Sequence, residues 1–403
     1  MCAVRCQEWH LCARIVATRE LAESHTAAHI RTAVKEILDE CEAWRPQNTY
    51  VTDNGANVKA AFKDLSWLGC AGHNLNLVLT HTFSDEDAVE ISDVLTLLTV
   101  CKNVVRYAKK SHLQTKLEIS LKPAVATRWN SNLRMIESVS RNLDTLRQIS
   151  NTDGDKKLQR LLLDVNDQLL VDVIAVLRPF DAATRMLSAD KSPTLHLTAP
   201  AKLQLQKHLV VKATDSSIMA ALKQRLLSKL EVYFHVQPLH KVAAVLDPRL
   251  KGSILPEDCK RSAVSDLKTM VSAAAAAAAD GTATASLNAD TAEQDSDRGP
   301  PSKKVKLDDF LADLLEICQQ SDVDEVDNYM ACVQKSDDLL LYWQSKENTW
   351  PKLSACAKLL LAVPATSTSS ERSFSTAGRT LEKRRSQLKP SSVDGLMFLH
   401  GLH

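Results

Sequence analysis

Apolar positions recur at three- and four-residue spacing over most of the chain, and the first fifty residues break that rhythm. Residues 9–18 (WHLCARIVAT) and 48–52 (NTYVT) are short runs rich in β-branched and aromatic side chains, which predicts two strands. Between them Ile30, Val34, Ile37, Leu38 and Cys41 fall on one helical face, which predicts an amphipathic helix over 25–44. A strand, a helix and a second strand in this order point to an α/β unit.

From about residue 86 the pattern is helical and stays so. Val94, Leu97, Leu98, Cys101, Val104 and Val105 mark one face, and 158–187 and 218–235 predict further helices. Pro123, Pro179, Pro193 and Pro200 are expected to punctuate them. The pattern fails at 272–302. Alanine dominates 272–279, and 280–301 is rich in Gly, Thr, Ser and acids with few large apolar residues. Such a segment buries too little surface to offset its ordering entropy, so a disordered linker is expected there. An isolated alanine helix at 273–279 would be too short to stand alone. Helical patterning resumes at 310–319, 323–333 and from Leu339 onward.

Composition narrows the classes. The chain has 403 residues, enough for two or three structural units. Its 50 basic and 49 acidic side chains leave a net charge of +1, so any contact with nucleic acid must come from local patches. The ten cysteines are scattered and include no C-x-x-C pair, which suits reduced thiols and argues against a complete zinc finger in this stretch. No apolar run approaches the roughly 20 residues of a membrane span, and residues 1–8 carry no signal-peptide core.

The C-terminal run 340–399 is the most informative. Pro351 suits the first turn of a helix with Leu353, Ala357, Leu360 and Leu361 as its stripe, stopped by Pro364. Thr368 and Glu371 have capping-box spacing for a short helix closed by Gly378. A last helix begins at Pro390, and Val393, Leu396, Met397, Leu399 and His400 cover most of its circumference, which favours an oligomer interface. Trp343, Trp350-Pro351-Lys352-Leu353, Pro364-Ala365-Thr366-Ser367, Ser370-Glu371-Arg372-Ser373-Phe374-Ser375, Gly378, Arg385-x-x-Leu388 and Leu396-x-Phe398-Leu399 follow one another in order. In the first third stand His25-Thr26, Trp44, Thr52-Asp53-Asn54-Gly55-Ala56-Asn57, Cys70-x-x-His73-x-Leu75-Asn76-Leu77 and Thr127-Arg128-Trp129-Asn130. Together these motifs resemble the hAT transposases and their domesticated relatives among the BED-type zinc-finger proteins. The resemblance covers most of 9–140 and 307–403; the middle matches in character only.

The resemblance implies a truncated RNase H-like α/β region over 1–140 and a helical insertion over 141–270. It also implies a helical dimerisation region over 307–403, and the break in composition places the linker over 271–306 between them. It further implies a three-carboxylate centre holding two divalent metals, magnesium or manganese, with Asp53 as the second carboxylate and Glu371 as the third. The first carboxylate is expected on a strand upstream of the residues present, and two acids make a poor cage for two hard cations. Asp53 and Glu371 are therefore expected to be vestigial, with no cofactor held and no DNA cut. Turn chemistry alone would explain Asp53, and the capping box alone would explain Glu371.

Cys70 and His73, three apart, are half a zinc site at best or packed core residues. Arg128, Trp129 and Arg372 are the candidates for contacting DNA; the Trp129 ring either stacks on a base or is buried. The implied dimer would use Trp343, Leu353, Leu360, Phe374, Leu396, Phe398 and Leu399. Lys303, Lys304 and Lys306, after Pro300-Pro301, resemble a short nuclear-import signal. The expected protein is a nuclear homodimer that meets DNA or chromatin proteins and no membrane. The alternatives are an N-terminally incomplete active transposase and a dimerisation module with no DNA contact.

Overall fold

The computed structural model describes residues 2–21, 24–45, 48–84, 88–125, 129–282, 324–372, 375 and 390–400. It is mostly helical with little sheet. Strand β1 (Cys2–Gln7) pairs antiparallel with β2 (His10–Ile15), Gln7 opposite His10. The single strand expected over 9–18 is therefore the second arm of a hairpin. Trp9 lies not in a strand but in its two-residue turn with Glu8, and both have positive φ, 47° and 60°. Both central residues of a tight type I′ turn need that conformation, which non-glycine residues resist. Burial of Trp9, with its Nε1 donating to Glu347 at 3.1 Å and Lys358 above its ring, offsets the strain.

Helix α1 (Ala27–Glu40) is shorter than the 25–44 expected, because the Thr26 side chain accepts from His29 N and sets its start. Strand β3 (Thr49–Thr52), helix α2 (Ala56–Ala61) and strand β4 (Ser66–Gly69) follow, with β3 and β4 parallel. The sequence reading missed β4, which is four residues long and has only two buried positions. Its outer edge is closed by one side chain. Gln237 accepts from Gly69 N at 3.1 Å and donates to Trp67 O at 3.2 Å, replacing a neighbouring strand. Among the described residues the four strands form two separate ladders, β1–β2 and β3–β4.

A helical core follows, built from α3 (Ala71–Ser84), α4 (Ser92–Lys110), α5 (Asn130–Thr152), α6 (Lys156–Leu163) and α7 (Asp167–Leu187). Helices α8 (Thr198–His208) and α9 (Ser217–Tyr233) complete it. The stretch 158–187 is two helices rather than one, because Asn166 caps α7 by accepting from Leu169 N. Pro179 does not punctuate but sits inside α7, where buried Val176, Leu177 and Phe180 carry the helix past the missing hydrogen bond.

A second core joins distant parts of the chain. Helix α10 (Pro238–Val245) and α11 (Glu257–Thr282) pack with α12 (Glu325–Ala331), α13 (Leu339–Ser345) and α14 (Pro351–Ala362) around Trp343, Tyr329, Leu267 and Leu353. Two expectations change here. The alanine run is not isolated: it continues α11, whose first half is anchored by Ala263, Leu267 and Val271, so residues 271–282 are helical rather than linker. The described part of 307–403 shares its core with residues 242–271 instead of closing on itself. Helix α15 (Pro390–His400) touches β2, with Asp394 accepting from Thr18 N at 2.6 Å. The expected helix at 310–319 and Lys303, Lys304 and Lys306 lie outside the described residues. No helix is long and apolar enough to cross a membrane among the described residues.

Candidate functional site

The ends of β3 and β4 meet the C-terminal segment at Cys70. Its backbone N–H donates to Thr52 O at 2.6 Å, one residue before Asp53. Its buried Sγ accepts from His73 N at 3.4 Å and from Ser367 N at 3.2 Å, four residues before Glu371. Ala71 N donates to Ala365 O at 2.9 Å, and Ala365 N donates to Thr194 Oγ1 at 2.9 Å. Cys70 thus ties the segments that carry Asp53 and Glu371 to each other. A Cβ on neighbouring Gly72 would stand 3.4 Å from Thr366, so the two segments approach closely.

The two acids themselves stay at the surface. Asp53 is exposed, and its Oδ1 accepts from Gly55 N at 3.2 Å, the turn contact that the Asp-Asn-Gly order suggests. Glu371 is exposed on a short helical turn, 368–372. The expected capping box is not formed: Thr368 directs its hydroxyl to Ser188 Oγ at 3.2 Å, away from its own turn. Ser369 donates to Asp190 at 3.0 Å. Arg372 pairs with Asp190 and donates to Ser188 O at 3.0 Å. The guanidinium expected to meet DNA therefore holds this turn against the 188–190 loop.

Among the described residues, no group of three or more His, Cys, Asp or Glu side chains is arranged to hold a metal ion. Asp53 and Glu371 supply two carboxylates where two hard cations need more, so these residues do not by themselves fit a two-metal centre. Cys70 is buried, and its sulfur receives two backbone N–H groups, so it packs the two segments together.

The remaining motif residues bind one another. Asn54 donates to Asn74 Oδ1 at 2.6 Å, Trp129 N to Asn76 Oδ1 at 3.4 Å, and Asn130 to Asp181 at 2.8 Å. Trp129 is 5% exposed and lies edge-on to Phe180, so its ring belongs to the core and offers no face to a base. Arg128 and Phe374 lie outside the described residues.

The residues expected at a dimer interface divide into two sets. Trp343, Leu353 and Leu360 are buried within the chain's own core; Trp343 also donates from Nε1 to Leu246 O at 3.0 Å. They are not available to a second copy. Their apolarity was legible in the sequence, but which surface would cover it was not. On α15, Leu396, Phe398 and Leu399 are 46%, 47% and 57% exposed, while Met397 between them is buried.

Sequence reasoning also missed the buried cluster after α10. Asp247 is fully buried and accepts from Arg249 Nε at 3.0 Å and Nη2 at 2.8 Å, and His196 Nε2 lies 3.8 Å from its carboxylate. Burial raises the Asp247 carboxyl, but the bonds from Arg249 outweigh it and hold the group below its ordinary value. The same loop anchors the C-terminal segment. Lys251 donates to Tyr329 O at 2.5 Å and to Cys332 O, and Tyr329 Oη donates to Val245 O at 2.7 Å. The only hint was the Leu246-Asp247-Pro248-Arg249 turn, which reads as a surface loop.

Residues 323–402 match the hAT family C-terminal dimerisation region. The chain is 27% identical over 372 residues to zinc finger protein 618 of Mus musculus, covering 91% of this chain and 37% of that protein. It is 28% identical over 246 residues to the transposable element Hobo transposase of Drosophila melanogaster, covering 60% of this chain and 36% of the transposase. Zinc finger BED domain-containing protein 4 of Homo sapiens is 24% identical over 399 residues, covering 90% of this chain and 32% of that protein. The chain thus spans about a third of the length of these curated relatives. It is related to a hAT transposase and to BED-type zinc-finger proteins, and it carries the hAT dimerisation region.

Proposed function

We propose, on the premise of that kinship, that the chain is the dimerising scaffold of a hAT-derived nuclear protein. It meets DNA or chromatin partners and does not itself cut DNA. The observation that carries the reading is the apolar side of α15, where Leu396, Phe398 and Leu399 stand exposed around buried Met397 inside the matched dimerisation region. Three large apolar side chains grouped on one short helix are a cost in water that a second copy removes.

In the finer fold reading, hairpin β1–β2, helix α1 and parallel pair β3–β4 belong to one RNase H-like α/β region over 1–140, and the helical insertion over 141–270 holds α6 to α10. Support for the non-cutting reading is local: Asp53 is engaged in its own turn, and Arg372 holds the turn bearing Glu371 to Asp190. The relation to Hobo transposase favours the second reading, a portion of an active transposase, with Asp53 and Glu371 linked through Cys70.

One experiment separates the two. Purified chain is incubated with duplex carrying hAT terminal inverted repeats and magnesium or manganese, alongside co-capture of two differently tagged copies. The scaffold reading expects intact DNA and co-capture that is lost in Leu396→Asp. Metal-dependent nicks that vanish in both Asp53→Ala and Glu371→Ala establish the transposase reading instead. For the nuclear assignment, a tagged chain with Lys303, Lys304 and Lys306 changed to Ala is expected to spread into the cytoplasm. Undiminished nuclear signal contradicts import through those lysines.

A further inference from the structure

Helix α4 concentrates basic side chains on one face, with its one acid, Asp93, in the first turn. From Val94 to Leu117 the sequence has Lys102, Arg106, Lys109, Lys110 and Lys116 and no Asp or Glu, in a protein whose net charge is only +1. The helix buries Val94, Leu97, Cys101, Val104, Val105 and Ala108, so Lys102, Arg106, Lys109 and Lys110 are driven together onto the opposite, exposed face. Lys102, Lys109 and Lys110 make no ion pair with another described residue, and Arg106 donates only to Asn103 Oδ1 at 3.1 Å.

A second helix extends this face. Helix α6 packs beside α4 through Tyr107, whose hydroxyl donates to Asp155 at 2.8 Å and whose ring lies 5.4 Å from Lys157 Nζ. Lys156, Lys157 and Arg160 of α6 are exposed. The nearby carboxylates are already engaged: Asp155 caps α6 by accepting from Lys157 N and Leu158 N, and Asp153 pairs with Lys116. Among the described residues, no carboxylate pairs with Lys102, Lys109 or Lys110.

We propose that this α4–α6 face binds the phosphate backbone of double-stranded DNA without reading its sequence. The proposal rests on the DNA-facing reading above and assigns it a surface. Lysine is a flexible point charge that suits phosphate oxygens and lacks the fixed fork that reads guanine edges. The four α4 cations extend over about 12 Å of helix, a reach suited to several phosphates. Single strands are held largely by stacking, and the Tyr107 ring of α4 already has Lys157 over it. Neutralising each phosphate-contacting cation removes one counterion's worth of salt dependence.

The test is fluorescence anisotropy of the full chain with a short labelled duplex of arbitrary sequence, titrated over a series of salt concentrations. The combined variant Lys102→Gln, Arg106→Gln, Lys109→Gln, Lys110→Gln is expected to flatten the slope of log affinity against log salt by about 3 to 4. A control variant with Lys63, Lys207, Lys335 and Lys352 changed to Gln is expected to keep the wild-type slope. If the combined variant unfolds, Lys102→Gln and Lys110→Gln alone each lower the slope by about 1. An unchanged slope in folded variants overturns the face and leaves DNA contact by the protein standing. Absence of duplex binding by the wild-type chain at low salt overturns both. Binding to phosphatidylserine vesicles in preference to duplex also overturns the proposal.

Discussion

His196 and His240 are buried in the region where the 195–197 turn meets α10, and burial sets their protonation. Desolvation pushes His240 down to about 4 from 6.5 and moves His196 in the same direction, against the pull of Asp247. A histidine whose folded-state value is depressed contributes stability that is complete above 6.5 and is lost as the pH falls toward 4, because only the unfolded chain takes up the proton. Each imidazole therefore removes at most about 1.4 kcal/mol per pH unit in that window. Urea melts at pH 7 and pH 5 are expected to show lower stability at pH 5, with a smaller difference in His240→Gln. Equal stabilities at the two pH values contradict the account. Neither histidine was singled out from the sequence, since their burial depends on helices far away in the chain. Trp129 and Trp343 carry the converse lesson. Their apolar character was plain, but a base, a second copy and the chain's own core all satisfy an aromatic ring.

At the scale of elements, periodicity located α1, α4 and the C-terminal helices, because each buries one face along a continuous run, and β-branched content located β3. It missed β1 and β4, short strands whose evidence is their pairing rather than their pattern. It also misplaced the alanine run, where low apolar content hid a helix nucleated from its preceding half. Composition was a poor guide to autonomy. Helices α13 and α14 bury Trp343, Leu353 and Leu360 against Leu267, Val271 and Leu246 rather than only against each other. Fragment 305–403 expressed alone is therefore expected to lack a cooperative thermal transition, and co-expression with 1–282 is expected to restore one. A sharp transition in the fragment alone contradicts the shared core. Of the candidate site, the residues were legible in the sequence, but the use of Cys70 as a tie between its two halves was not. That bond spans 297 positions in the chain.

For the whole molecule, one loop makes bonds in two directions. Residues 245–251 receive Trp343 and Tyr329 on one side, while Asp247 binds Arg249 and faces His196 on the other. Among the described residues proposed for the interface, Leu396, Phe398 and Leu399 of α15 stay exposed, and the proposed self-association is the claim from which the rest of the function follows. Sedimentation equilibrium of the full chain at micromolar concentration tests it most directly, beside Leu396→Asp, Phe398→Asp and Leu399→Asp combined. A carboxylate buried without a partner costs several kcal/mol, roughly enough to weaken a micromolar dimer beyond detection. The account predicts twice the 44.5 kDa chain mass for the wild type and a single mass for the folded triple variant. A single mass for the wild type, or an undiminished dimer in the variant, contradicts it.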